Sequence, residues 1–284
     1  APCCARGRDL WQMRGQMASH PATREFHWGT EQGRPIKVTV LGAGTALPWP
    51  ERSAPGHLVQ FGNTALLFDI GPGTVARLAQ AGVGYSDVEY VFVTHLHPDH
   101  VLDLAALIQA NSCTPGWMRE KALHLAGCQG LAAFYQGLLA LFPDIAPQTY
   151  GVNVRELGTE RIAYAHWTIE TCLTGHTATS LAYRLEANGR AIVFSGDATL
   201  SPALIHLARQ ADLLVCECSF PGDDGGPDHL AARQVGRLAL EAGAKRLAVV
   251  HLYPVALQAD VLSVIGEEYV GPIWIAHDGA TWVI

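Results

Sequence analysis

From Ile36 onward, short apolar runs alternate with polar, Gly- and Pro-rich turns at the spacing of strands and helices. IKVTVLG (36–42) predicts a strand, followed by the loop GAGTALPWPERSAPG. HLVQFG and TALLFDI flank Gly62-Asn63 and predict a hairpin. GPGTVARLAQAG opens a short helix after Asp69, EYVFVT (89–94) is a β-branched, aromatic strand, and LDLAALIQA continues as a helix. ALHLAG predicts a strand and LAAFYQGLLALF an apolar helix. Four strand-like stretches follow: VNVREL, TIETCLTG, SLAYRLEANG and RAIVFSGD. The chain then alternates: helix PALIHLARQ, strand ADLLVCECSF, helix AARQVGRLALEAG, strand KRLAVVHL, helix VALQADVLSVIGEEY, and the closing PIWIAHDGATWVI.

Two halves emerge, each beginning in strands that form sheets and ending in strand–helix alternation. Two sheets packed face to face with helices outside satisfy that order, so the fold class is α/β. No linker separates the halves, and residues 36–284 read as one domain. Residues 1–35 have no clear period and read as an extension outside the core. No apolar run approaches the ~20 residues of a membrane span, and APCCARGRDLWQMRGQM carries no signal-peptide core, so the expected location is cytoplasmic.

Composition narrows the partners. The net charge is −7 and no basic run occurs, which argues against a long nucleic acid held by its phosphates. The seven cysteines include no CxxC pair, so neither a zinc ribbon nor a thioredoxin-like motif is available. Cys216 and Cys218 lie in an apolar strand and read as small buried residues.

The candidate chemistry lies in Thr94-His95-Leu96-His97-Pro98-Asp99-His100, between a strand and a helix. A loop at a strand end exposes side chains whose origin the sheet fixes. Zinc favours imidazole and carboxylate at about 2 Å, so such groups must converge.

HLHPDH resembles the HxHxDH signature of the metallo-β-lactamase superfamily. LGAGTALP and LLFDIGPGT resemble that family's first strand and its Asp-bearing turn. The resemblance implies an αββα four-layer sandwich and three further ligands in fixed order: His176 in TGHT, Asp197 in SGDATL, and His251 ending KRLAVVHL. One zinc would take His95, His97, His176 and Asp197; the other would take Asp99, His100, Asp197 and His251. Manganese or iron suits the same ligands. Asp69 matches a position that orients a metal-bound histidine. Asp99 would accept the proton of the nucleophilic water.

Within the superfamily, His229 through KRLAVVHL resembles the ribonuclease Z branch. There a helix-opening histidine donates a proton or stabilises the scissile phosphate, and an acidic residue matching Glu217 orients it. Two departures stand out: Leu230 and Ala231 follow His229 where Ser or Thr is usual, and SLAYRLEANGRAIVFSG runs as a tight hairpin where tRNA-processing members carry a long arm. The expected substrate is therefore a small phosphodiester, with a lactone, aryl sulfate, β-lactam or tRNA 3′ end as alternatives, and a non-enzymatic metal-binding role last. The branch also suggests a homodimer. Phe220 to Asp228 reads as a specificity loop, and Trp49, Arg52, Trp117, His57 and His277 are candidates to lie near the site.

Overall fold

Apolar, largely β-branched runs become strands, and the amphipathic segments between them become helices laid over the sheets. The computed structural model describes residues 35–284, so the N-terminal extension lies, but for Pro35, outside the described residues. The first half opens with the antiparallel strands β1 (Lys37–Gly42), β2 (Gly56–Phe61) and β3 (Thr64–Ile70). The β2–β3 hairpin turns at Gly62, whose φ of 54° lies in the left-handed region that glycine enters without steric cost. Then α1 (Thr74–Gln80), β4 (Val88–Val93), α2 (Pro98–Val101), α3 (Asp103–Cys113), β5 (Leu123–Gly127), α4 (Leu131–Leu141) and β6 (Val152–Glu156) alternate, and β3 to β6 run parallel.

The second half repeats this plan. Strands β7 (Arg161–Ala163), β8 (Trp167–Leu173), β9 (Leu181–Ala187) and β10 (Arg190–Phe194) are antiparallel neighbours. Next come α5 (Pro202–Leu207), β11 (Leu213–Glu217), α6 (Ala232–Ala242), β12 (Leu247–Val250), α7 (Pro254–Leu257), α8 (Val261–Glu268), β13 (Ile273–Ile275) and β14 (Thr281–Val283). The sheets have the orders β14-β1-β2-β3-β4-β5-β6 and β13-β12-β11-β10-β9-β8-β7.

Three buried clusters define four layers. Phe68, Phe92, Tyr183, Phe194 and Val215 fill the space between the sheets. Leu204, Val235, Leu238 and Ile265 seat α5, α6 and α8 on the second sheet, and Leu78, Leu104, Ile108 and Leu138 seat α1, α3 and α4 on the first. Phe68 stacks on Phe194 at 4.3 Å between centroids, and the Tyr183 hydroxyl donates to the Val93 carbonyl at 2.8 Å, which fixes one sheet against the other.

Three details depart from the sequence pattern. The segment 254–268 is two helices, because the Asp260 carboxylate accepts from the Ser263 N–H and starts α8 afresh. Strand β14 returns to pair with β1, so the chain's end completes the first sheet. Strand β7 has three residues and no buried side chain, too weak a pattern to be read.

The topology matters for the site. Strands β3, β4, β8, β10, β11 and β12 all end toward one edge of the sandwich, where the Leu181 N–H donates to the Thr94 carbonyl and ties the sheets together. The carboxyl ends of strands in α/β sheets open a crevice there.

Candidate metal centre

Each expected ligand follows a strand that ends at this edge. His95 leaves β4, and the turn of α2 beginning at Pro98 brings Asp99 and His100 around to the same point. His176 follows β8, Asp197 follows β10 and His251 follows β12. His251 has a φ of 54°, a left-handed conformation that costs a non-glycine residue on the order of 1–3 kcal/mol. Its N–H donates to the Ala43 carbonyl at 3.0 Å, which holds the turn. Gly71 is required by close approach: a Cβ there would collide with the Asp99 carbonyl.

The seven side chains converge in two sets, His95, His97, His176 with Asp197, and Asp99, His100 with His251. Donors on one tetrahedral cation at about 2.0–2.2 Å lie about 3.3–3.6 Å apart. Here His95 Nε2 and His176 Nε2 each lie 3.7 Å from Asp197 Oδ2, and His176 Nε2 lies 3.2 Å from His97 Nδ1. In the second set His100 Nε2 is 3.4 Å and His251 Nε2 3.5 Å from Asp197 Oδ1. Their distances to Asp99 Oδ2 are 3.6 and 3.5 Å. The two oxygens of Asp197 thus face one set each.

His95 Nε2, His100 Nε2, His251 Nε2 and Asp197 Oδ1 are buried and have no hydrogen-bond partner. Such groups are costly unless something bonds them. Three such imidazole nitrogens converging on the Asp197 carboxylate fit divalent cations of the kind that imidazole and carboxylate bind.

The other face of each ring explains its aim. His95 Nδ1–H donates to Thr94 Oγ1 at 3.0 Å, His100 Nδ1–H to Asp69 Oδ2 at 2.7 Å, His176 Nδ1–H to the Asp228 carbonyl at 2.7 Å, and His251 Nδ1–H to Ser219 Oγ at 3.1 Å. In the neutral ring each bond fixes the tautomer and leaves the Nε2 lone pair pointing inward. Burial alone opposes a charge on His100, but Asp197 and Asp69 outweigh it and raise its pKa well above the ordinary value. Burial drives His95 far down, and the neighbouring His100 adds to that. Burial likewise opposes ionisation of Asp197, yet His251 and His100 hold its pKa well below the usual carboxylate range.

Beside this cluster lies His229. It precedes α6 by three residues rather than opening it, because Ala231 takes the N-cap position. Its Nδ1 lies 3.1 Å from Glu217 Oε1, and its ring centroid is 4.7 Å from His176 and 5.8 Å from His251. Burial would lower its pKa, but Glu217, with Asp197 and Asp228 adding, raises it. Glu217, 1 % exposed, also accepts from the Ala198 N–H at 2.6 Å and from Ser219 Oγ.

The Phe220–Asp228 loop does adjoin the centre through the Asp228 carbonyl, and Arg233 to Asp223 and the Gly225 N–H to Gln234 tie it down. Other candidates fall differently. Trp117 packs edge-on against Tyr85, Trp49 is exposed on its loop, and Arg52 donates to the Ala276 carbonyl as a brace. His57 lines a cavity of ≈ 20 Å³ beneath the cluster, with its pKa lowered by burial to about 3. His277 is exposed and bonds the neighbouring Asp278 carbonyl. Cys216 and Cys218 are buried and free. The sequence reading passed over Ser219 and Tyr253, whose only signal is their place two residues beyond Glu217 and His251.

Comparison with known proteins agrees with this geometry. A family profile described as metallo-beta-lactamase superfamily matches residues 51–251. A probable metallo-hydrolase of Bacillus subtilis, YhfI, is 27% identical over 87% of this chain and 99% of its own length. Its crystal structure superposes with a TM-score of 0.77 at 26% identity, covering 88% of this chain and 100% of that one. A ribonuclease Z of Thermococcus onnurineus is 27% identical over 76% of this chain and 84% of its own. Human tRNase Z, short form, shares the fold with a TM-score of 0.70 at 21% identity, over 87% of this chain and 98% of that one. Among the described residues no helix is long and apolar enough to cross a membrane.

Proposed function

The chain belongs to the metallo-beta-lactamase superfamily and is a hydrolase of that family, and we propose that it is a dinuclear zinc phosphodiesterase acting on small phosphodiesters. One observation carries the reading beyond the family: His229, anchored by Glu217, stands 4.7 Å from His176 between centroids and beside His251. An aryl sulfate, whose phenolate leaves readily, has little need of a protonated imidazole at that place, whereas an alkoxide leaving a phosphodiester must receive a proton; a lactone shares that need, so it enters the test below.

His95, His97, His176 and Asp197 would hold one cation, and Asp99, His100, His251 and Asp197 the other. When bound, the pair supplies a water acidified towards neutrality and positive charge for the phosphoryl oxygens. Asp99 would hold the cation through Oδ2, which faces both His100 and His251, and its other oxygen, Oδ1, receives the proton of the attacking water. His229 donates from Nε2 to the leaving oxygen, because Glu217 occupies Nδ1. Glu217 stabilises the imidazolium before transfer and keeps the ring from turning.

A small substrate is favoured over tRNA because β9 and β10 join directly through Asn188-Gly189, with no arm between His176 and Asp197 to grip a long nucleic acid. The test is to measure bound zinc and assay bis-(p-nitrophenyl) phosphate, an aryl sulfate and a lactone side by side. The expected result is phosphodiester turnover at about two zinc per chain; in His229→Ala, with zinc retained, turnover of a phosphodiester with an alkoxide leaving group, such as a 2′,3′-cyclic nucleotide, should fall about a hundredfold or more, and that of bis-(p-nitrophenyl) phosphate, whose phenolate leaves unaided, far less. Turnover of the lactone or sulfate alone would overturn the phosphodiesterase reading.

A further inference from the structure

Two aromatic side chains beside His229 have no part in holding the cluster. Phe220 lies just beyond β11 and Tyr253 just beyond β12, both partly exposed at the edge where the ligands gather. Their rings are nearly parallel, 15° apart with centroids at 5.7 Å. Tyr253 meets the rings of His229 and His251 edge-on, at 6.1 and 5.8 Å, and Phe220 meets His229 edge-on at 6.1 Å. The backbone holds both in place: the Ala232 N–H donates to the Phe220 carbonyl at 3.1 Å, and the Ala256 N–H to the Tyr253 carbonyl at 2.9 Å.

Two rings fixed this way, each with few rotatable bonds, lose little entropy when a ligand arrives. Polar residues would serve as well if the mouth only had to admit water and an ester. An aromatic face instead favours a second flat ring, and stacking of a nucleobase on such a face is worth about fivefold to a hundredfold in affinity.

Building on the phosphodiesterase reading, we propose that Phe220 and Tyr253 form a stacking wall that selects substrates carrying a flat aromatic ring next to the scissile phosphate. The shared chemistry is an aromatic ring attached to a phosphodiester, supplied by a nucleobase or by an aryl group. The wall stands on the His229 side, so the ring lies within one sugar's length of the leaving oxygen.

The test is binding rather than turnover, which separates it from the reading it rests on. Zinc-loaded protein is titrated calorimetrically with three substrate fragments that share one sugar phosphate: adenosine 3′-phosphate, phenyl riboside 3-phosphate and methyl riboside 3-phosphate. Both ring-bearing compounds should bind about tenfold more tightly than the methyl riboside. The preference should collapse in Tyr253→Leu and in Phe220→Leu, each with zinc content confirmed, and persist in Tyr253→Phe, which keeps the ring. A larger preference for adenosine assigns the nucleobase; equal preference for phenyl assigns any aryl ring. Equal binding of all three, no binding of any, or a preference unchanged in both leucine variants overturns the wall. If the ring preference holds and depends on Tyr253 while no phosphodiester is hydrolysed, the wall stands and the phosphodiesterase reading falls.

Discussion

Asp69 and Glu217 occupy matching places in the two halves, each at the end of a strand beneath the cluster and each almost fully buried. Asp69 accepts from the Thr94 N–H at 2.7 Å, from Thr94 Oγ1 at 2.9 Å and from His100 Nδ1 at 2.7 Å. All three donors belong to the segment that carries His95 to His100, so this carboxylate acts on that segment alone. Glu217 also accepts three donors, but only two are buried; the third is His229, on a partly exposed loop. Ser219 relays it to His251 at 3.1 Å. The same burial therefore supports two roles: one carboxylate fixes the loop of proposed ligands, and the other both braces His251 and holds His229, the proposed proton donor, at the mouth.

Asp69→Asn tests the first role and should have the largest effect. The left-handed backbone at Asp69, φ 59°, admits asparagine, so strain does not confuse the result. The amide would turn an N–H₂ toward Thr94 or His100 and leave a buried donor unmet, at about 1–3 kcal/mol. Thermal denaturation should show lower stability, and metal analysis a tenfold to hundredfold weaker affinity for zinc. Full zinc occupancy at low free metal would show that Asp69 does not set the ligands.

Glu217→Gln should break the symmetry. Zinc should be lost less than in Asp69→Asn, because the amide oxygen still accepts from the Ala198 N–H and the amide N–H₂ reaches His251 only through Ser219, while kcat falls about a hundredfold. Combined with His229→Ala, it should add little, since both changes remove one unit. Zinc loss matching that of Asp69→Asn would make the two carboxylates equivalent and undo the distinction.

How much of this was legible in the sequence follows from distance along the chain. His95, His97, Asp99 and His100 are legible as a unit because a strand end and one helical turn suffice to aim them. His176, Asp197 and His251 carry no local mark, and only the family resemblance picks them out by their order along the chain. The strand pattern read well where alternation or apolar runs were long, as in β3 and β4. It missed what depends on long-range partners: the return of β14 to β1, and the relay from Glu217 through Ser219 to His251. Phe220 and Tyr253 were invisible as a pair because they lie 33 residues apart and meet only when β11 and β12 align.

A third buried carboxylate sharpens the comparison, since it lies at the opposite end of β11 and touches no ligand. Asp212 accepts from the Ala191 N–H at 2.9 Å and pairs with Lys245 at 2.9 Å and Arg190 at 3.3 Å. Burial alone would raise its pKa, but the Ala191 N–H and the two cations overcome that and hold it below the usual carboxylate range. A carboxylate depressed in the folded state contributes stability above its unfolded value, near 3.9, and loses it as pH falls through the folded value. The stability difference between wild type and Asp212→Asn should therefore be largest near pH 7 and vanish in acid. Both cationic partners are half solvated, which limits the effect to about 1 kcal/mol. Denaturant titrations at pH 7 and pH 3 would read it, with zinc content and kcat at pH 7 unchanged. A difference that stays constant between those two pH values would mean that the Asp212 side chain acts through packing and its neutral hydrogen bond, not through charge.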